Sequence, residues 1–331
     1  MRKTNMRKTK AICAMSGGLD SSVAAALFKR AGFDVAGVFM KLTDLPRFKE
    51  SERRARKIAK ILGIPFLSLD LRKEFKKRIV GYFLKEYKRG LTPNPCVVCN
   101  KEIKFGLLLE KALALDADYV ATGHYAEVKK TKNGFHLLRG KDKNRDQSYF
   151  LWMLNQKQLS RIFFPVGNYT RAEVEKLARK FKLPVLEVPK SVEICFIQTT
   201  VNDFLRRHLQ EKTGKIVDTN GKIIGEHEGL WFYTIGQRKG IRLPGGPYYV
   251  LDKDFKKNIL IVTKNEKDLY KKELVTKNVN WISGRKPKLP LRVKAKIRYR
   301  HQPASATITY NLKLKTYDLK FDNPQRAITP G

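Results

Sequence analysis

The sequence predicts an α/β protein whose first part is a doubly wound parallel sheet and whose second part is all β. Three observations predict it. Short apolar runs alternate with amphipathic helical stretches as far as Gly123. The first run, Ala11-Ile-Cys-Ala-Met15, is followed at once by Ser16-Gly-Gly-Leu-Asp-Ser-Ser22 and a helix from Val23 to Leu27. From about residue 212 hairpin turns replace the helical period.

The Ser-Gly-Gly turn comes first because it organises the rest. Two glycines let a backbone approach a ligand closely, and the amides that open a helix have no partner within it. With the positive end of the helix dipole they form an anion site. No Gly-Lys-Ser/Thr closes the loop, so it is not of the Walker type. Asp34–Lys41 then reads as a second buried strand. Ala55, Ile58, Ala59 and Leu62 make one helical stripe ended by Gly63, and Pro65–Asp70 reads as a third strand. A helix is expected around Arg78–Lys88 and another over Glu102–Leu115, with a fourth strand at Tyr119–Gly123. Between them, Pro93 and Pro95 argue against a helix before Cys99, which puts Cys96 and Cys99 in or beside a loop. Val174, Leu177, Ala178 and Phe181 form a further amphipathic stripe. In such sheets ligands bind at the carboxyl ends of the strands, where the Ser16–Ser21 loop, Met40 and Gly123-His124 all fall.

In the second part, turns are expected at Asp218-Thr-Asn-Gly221, Pro244-Gly-Gly-Pro247 and Asp252-Lys-Asp254. Strands are expected within Leu291–Tyr299, Ser305–Leu314 and Thr316–Phe321. Three domains follow: residues 1–211, a small β domain at 212–276, and a partial, incomplete β-barrel at 277–331. The chain carries 69 Lys and Arg against 31 Asp and Glu, a net charge of +38, which points to a polyanion as partner. Neither a signal peptide nor a run of about 20 apolar residues is visible. Four cysteines in 331 residues are no disulfide framework. The expectation is a cytoplasmic protein with no membrane partner.

Taken together the motifs resemble the tRNA-specific 2-thiouridylase (MnmA) family, of the pyrophosphatase-loop superfamily, over nearly the whole chain. The matching segments are Ala14–Ser21, Phe39-Met-Lys41, Thr92-Pro-Asn-Pro-Cys-Val-Val-Cys-Asn-Lys-Glu-Ile-Lys-Phe105, Ala121–Tyr125, Arg145–Leu151 and Glu193–Ile197. Tyr233–Gly240 and Lys296–Arg300 match in the β part. The resemblance implies an adenine nucleotide alpha hydrolase-like first domain and an enzyme, a tRNA-uridine 2-sulfurtransferase. ATP adenylates the C2 oxygen of wobble uridine 34, and a cysteine persulfide supplies sulfur, giving 2-thiouridine, AMP and pyrophosphate. By that resemblance Cys195 carries the persulfide and Cys99 releases the product as a disulfide. ATP and Mg²⁺ are held by Ala14, Met15, Ser16, Gly17, Gly18, Leu19, Asp20 and Ser21, with Met40 and Gly123 near adenine and ribose. Asp20 has a catalytic part in arranging metal or phosphates. The tRNA meets Asn94, Pro95, Cys96, His124, Arg145, Asp146, Gln147, Arg298 and Tyr299. Sulfur comes from a persulfide carrier protein or a sulfide donor.

The chemistry needs a thiolate, and a basic pocket is expected to lower a thiol's pKa. Cys13, within the first strand, reads as a small buried hydrophobe. Where many family members have Asp, this chain has Cys96, so an acid/base role there does not carry over. Cys96, Cys99 and Cys195 could instead hold a [4Fe–4S] cluster whose open iron binds sulfide; the spacing fits that and the persulfide route equally. The chain also stops at Gly331, where the family continues with further strands. That leaves a sheet edge expected to be exposed. Two rival readings remain: the same loop acting on a small-molecule acceptor, and a non-catalytic tRNA-binding module.

Overall fold

The computed structural model describes residues 7–185 and 194–331. The first six residues and Ser191-Val-Glu193 of the last cysteine motif lie outside them. The described chain divides into two units. One takes the chain through Val80, Pro95–Phe196 and Asn280–Arg285; the other takes Gly81–Asn94, Ile197–Val279 and Lys286–Gly331.

The first unit starts with β1 (Lys10–Ala14), α1 (Leu19–Arg30), β2 (Asp34–Lys41), α2 (Pro46–Leu62) and β3 (Phe66–Asp70). β1 is buried on both faces because it is central in a parallel sheet. Ala11, Cys13 and Met15 face one core with Val23, Ile58 and Val174; Ile12 and Ala14 face the other with Phe105, Leu108 and Leu151. Val23, Ile58 and Val174 are fully buried, each contributing about 1.5–3 kcal/mol. α2 opens on Pro46, whose missing N–H costs nothing there, and closes on left-handed Gly63.

After β3 the helical chain starts earlier than expected, at α3 (Arg72–Phe75). It continues through a π-helical run, Lys76–Val80, into α4 (Gly81–Lys88), which belongs to the second unit. A larger correction concerns the cysteines. Pro95 does not delay the next helix but begins it: α5 (Pro95–Cys99) passes into a π-helical run, Asn100–Leu107, and then α6 (Leu108–Ala114). Proline is well suited to a first helical position, so both thiols sit on a helix and not in a loop.

β4 (Tyr119–Ala121) is followed by a hairpin that the sequence reading missed, β5 (Ala126–Thr131) and β6 (Gly134–Arg139). Its signal was the Asn133-Gly134 pair, with Gly134 at φ +107°. Then come α7 (Gln156–Leu159), β7 (Ile162–Phe163) and α8 (Arg171–Lys180), the last opened by a Thr170/Glu173 capping box. The sheet order is β3-β2-β1-β4-β7, all parallel. All five carboxyl ends therefore lie on one side.

The second unit adds α9 (Val201–Arg206) and strands β8 (Gly214–Val217), β9 (Ile223–His227), β10 (Tyr249–Asp254), β11 (Ile259–Thr263), β12 (Tyr270–Thr276), β13 (Leu291–Ala295), β14 (Ala304–Asn311) and β15 (Thr316–Arg326). They form two open four-stranded sheets, β10-β11-β8-β9 and β12-β15-β14-β13. The Asp218 turn joins β8 to β9, its carboxylate accepting from the amides of Asn220 and Lys222 at 2.9 Å. The turn expected at Asp252–Asp254 comes later. β10 runs to Asp254, whose carboxylate accepts from Lys256 and Lys257 amides before left-handed Asn258 reverses the chain.

Candidate functional site

β1 delivers the chain to the Ser-Gly-Gly turn, and geometry there leaves no room for side chains. Gly17 has φ +74°, and a Cβ on it would lie 2.3 Å from the Ser51 carbonyl oxygen. A Cβ on Gly123, just past β4, would lie 2.6 Å from backbone atoms of Asp20 and Ser21. Gly18 caps α1 in an extended conformation with no side-chain cap, so the first helical amides are offered to a ligand. Ser21 braces the turn from inside: its hydroxyl accepts from the Ser16 amide at 3.1 Å and donates to the Gly18 carbonyl at 3.2 Å. The Ser16 hydroxyl lies 3.1 Å from that of Ser21 on an otherwise exposed residue. Ala14, Met15 and Leu19 are buried supports, and Met40 stands half-buried near the end of β2. The turn thus brings unpartnered helix-start amides and close backbone approach to the carboxyl end of β1.

Asp20 does not cap its helix. The Tyr125 hydroxyl donates to its carboxylate at 2.7 Å, and the Arg171 guanidinium pairs with it at 3.1 Å. Arg171 opens α8, donates also to Glu175, and has its own amide bonded to Asp142. Burial, then the Asp20 charge, push the Tyr125 hydroxyl above its usual range, so it stays a donor. Sequence reading missed Tyr125 and Arg171; the pattern that would flag Arg171 is a cation at the start of a capped helix after the last sheet strand. Arg54 is a second missed cation, 3.4 Å from the Gly17 carbonyl.

The thiols converge in the same unit. Cys99 is buried, and Cys96 and Cys195 are half-buried. They feel one another electrostatically, and Lys104 on the π run acts on all three. Arg47 acts on Cys195 and donates to its carbonyl. Even so, burial decides the outcome: Cys99 is pushed up to about 12, Cys195 to about 11, and Cys96 upward as well. The expectation of lowered thiol pKa values is therefore overturned, because desolvation outweighs the nearby cations. Among the described residues no three His, Cys, Asp or Glu side chains are grouped so as to hold a metal ion. Cys13, as expected, is a buried hydrophobe of β1, its thiol pushed up to about 12 by burial.

His124 is buried, with Nδ1 2.7 Å from the Thr122 hydroxyl and its ring against Phe105 and Phe164. Burial, then Lys104, hold its pKa well below 6.5, so it is neutral. Gln147 is bound twice to the Tyr125 backbone, accepting from its amide at 3.0 Å and donating its own amide at 2.8 Å. Asp146 accepts from Ser148 and Gly140. These two side chains shape the loop, and Arg145 is exposed on it, as are Lys141 and Lys143. Asn94, half-buried, belongs to the second unit, as do Arg298 and Tyr299. Arg298 donates to the carbonyls of Ile235 and Ala327, and Lys296 lies 5.5 Å from the Tyr299 ring.

A doubly wound domain with an uncapped Ser-Gly-Gly turn, followed by open β sheets, defines a nucleotide-binding protein of the pyrophosphatase-loop class. Family models place it further: a tRNA methyl transferase HUP domain matches residues 9–199, a tRNA methyl transferase PRC-barrel domain 202–264, and an aminomethyltransferase beta-barrel domain 271–331. The tRNA-specific 2-thiouridylase MnmA of Alkaliphilus oremlandii is 43% identical over 338 residues, 98% of this chain and 93% of that protein. The MnmA of Pediococcus pentosaceus is 43% identical over 345 residues, covering 99% and 92%. The chain belongs to the MnmA family of tRNA-specific 2-thiouridylases. A solved U34-tRNA thiolase, NcsA from Methanococcus maripaludis with its [4Fe–4S] cluster, is 17% identical with a TM-score of 0.39, covering 57% of this chain and 63% of that one. No helix among the described residues is long and apolar enough to cross a membrane.

Proposed function

We propose that the protein is a cytoplasmic tRNA-uridine 2-sulfurtransferase that makes 2-thiouridine at position 34, working by a cysteine persulfide. The observation that supports the mechanism is that Cys99 and Cys195 lie in one unit with the uncapped Ser-Gly-Gly turn, near enough for Cys195 to act on the Cys99 thiol. The full-length relatives supply the reaction and substrate. A small-molecule acceptor would not call for a charge of +38, and a non-catalytic module would not call for two paired thiols.

In this reading residues 14–21, with Met40 and Gly123, bind ATP. The α1 amides and Arg171 face the phosphates, and Asp20 is held by Tyr125 and Arg171 where it can orient Mg²⁺, which would neutralise phosphate charge. The uridine C2 oxygen attacks the α-phosphate and pyrophosphate leaves. The terminal sulfur of a Cys195 persulfide then attacks C2, and the C2–O bond breaks to release AMP. Cys99 attacks the Cys195 sulfur, its proton passing to the departing thiolate of the base; the sulfur–sulfur bond to the base breaks, leaving 2-thiouridine and a Cys99–Cys195 disulfide. A thiol reductant reopens that disulfide, and a persulfide carrier reloads Cys195. Neutral His124 is unsuited to serve as a cation here. The wobble base, splayed from its stack, would sit against Asn94, Pro95 and Cys96, with Arg145 on its backbone. Asp146 and Gln147 shape that contact, and Arg298 and Tyr299 support the tRNA side of the β part. The three-domain division at 211 and 276 belongs to the same reading.

The test is mass spectrometry of nucleosides from tRNA incubated with enzyme, ATP and a persulfide donor. Cys195→Ser abolishes thiolation but still releases pyrophosphate; Asp20→Ala abolishes the formation of both pyrophosphate and AMP. Full thiolation by both variants overturns the assignment.

A further inference from the structure

Residues Gly90–Asn94 run directly into Pro95, the first residue of α5, and belong with the β unit. They are bound to it through their backbone. Gly90 has φ +83°, and a Cβ on it would lie 2.0 Å from a ring carbon of Phe255, so only glycine lets the ring approach. The Thr92 amide donates to the Pro330 carbonyl at 2.8 Å. Lys253, on β10, donates its ammonium to the Gly90 carbonyl at 2.7 Å and to the Tyr233 carbonyl at 2.9 Å. Burial holds this lysine down at about 8, against the pull of Asp252. Even a half-buried ammonium carries a desolvation cost, and nothing in the β10–β11 ladder requires one. Beyond Thr92 the chain reads Pro93-Asn94-Pro95. Each proline fixes its own φ and extends the residue before it, so this segment behaves as a stiff strut.

We propose that Lys253 is a positioning residue for the sulfur-transfer site: by binding Gly90 to the β unit it fixes where the strut begins, and so how α5 seats Cys96 and Cys99. The strut, not a side-chain contact, carries the effect. The proposal rests on the reading of Cys99 as the thiol that releases the product.

Its test separates the two. Iodoacetamide modification of Cys99 and Cys13 is mapped by mass spectrometry on the full chain without substrates, in wild type, Lys253→Met, Lys253→Arg and Phe255→Leu. Releasing the strap leaves two carbonyls without their donor and opens α5 locally. Cys99 labelling then rises about tenfold in Lys253→Met, and Phe255→Leu moves the same way if the methionine variant does not fold. Cys13 stays protected in each, and Lys253→Arg, which keeps the donors, restores protection. Thiolation kcat falls with KM for ATP unchanged. The proposal is overturned if Cys99 labelling does not rise, or rises only together with Cys13, since that reports general unfolding. Faster Cys99 labelling in a protein whose wild type forms no 2-thiouridine upholds the positioning and refutes the functional reading.

Discussion

At the scale of single residues, the competition between burial and charge governs the thiols. Lys104 and Arg47 favour thiolates, yet desolvation keeps Cys99 and Cys195 protonated at neutral pH. Iodoacetamide labelling of Cys195 in the free enzyme is therefore slow at pH 7.5 and rises about tenfold per pH unit until it levels near pH 11. Lys104→Met moves that profile further up; an unchanged profile contradicts the role given to the cation. Stability follows the same thiols. A thiol whose pKa is higher folded than unfolded contributes stability that is whole below about pH 9 and is lost as pH climbs toward the folded value, about 12 for Cys13. Urea midpoints should fall between pH 9 and 12, and Cys13→Ala should flatten that fall by about 1.4 kcal/mol for each pKa unit removed.

At the scale of elements, the turn from β1 to α1 tolerates no side chain. Gly17→Ala forces a left-handed alanine against the Ser51 carbonyl; it should lower stability by about 2 kcal/mol or more and abolish AMP formation. Calorimetry and an AMP assay check both. The alternation of apolar runs made the parallel sheet and the Ser-Gly-Gly cradle legible, since both depend on local pattern. The β8–β9 turn was legible for the same reason. What the pattern could not express was proline's double character. Pro95 reads as a breaker from the left and as a first helical residue from the right, and only packing decides. The π runs at 76–80 and 100–107 were equally invisible, having no residue signature of their own. The site was legible as motifs, but not as partnerships: Asp20 with Tyr125 and Arg171 joins three segments far apart in the chain. Arg171→Met, with the fold intact by circular dichroism, should cut AMP formation at least about tenfold, by loss of one charge-assisted contact.

At the scale of the whole molecule, the charge of +38 sets how it meets RNA. Neutralising about six phosphates should weaken tRNA binding about 10³-fold between ~50 and ~200 mM salt, measured by filter binding; a flat profile counts against an electrostatic surface. The open sheet β12-β15-β14-β13 gives that charge a second consequence. Its two border strands each have one ladder partner, and exposed lysines stand on both: Lys271 and Lys272 on β12, Lys294 on β13. A lysine on a border strand repels the next copy before backbone pairing can begin. Salt that strips the enzyme from its nucleic acid also screens this repulsion. Concentrated, RNA-free protein should therefore scatter more light in 1 M than in 0.1 M salt, and replacing the three lysines by serine should bring the clouding down to the lower salt.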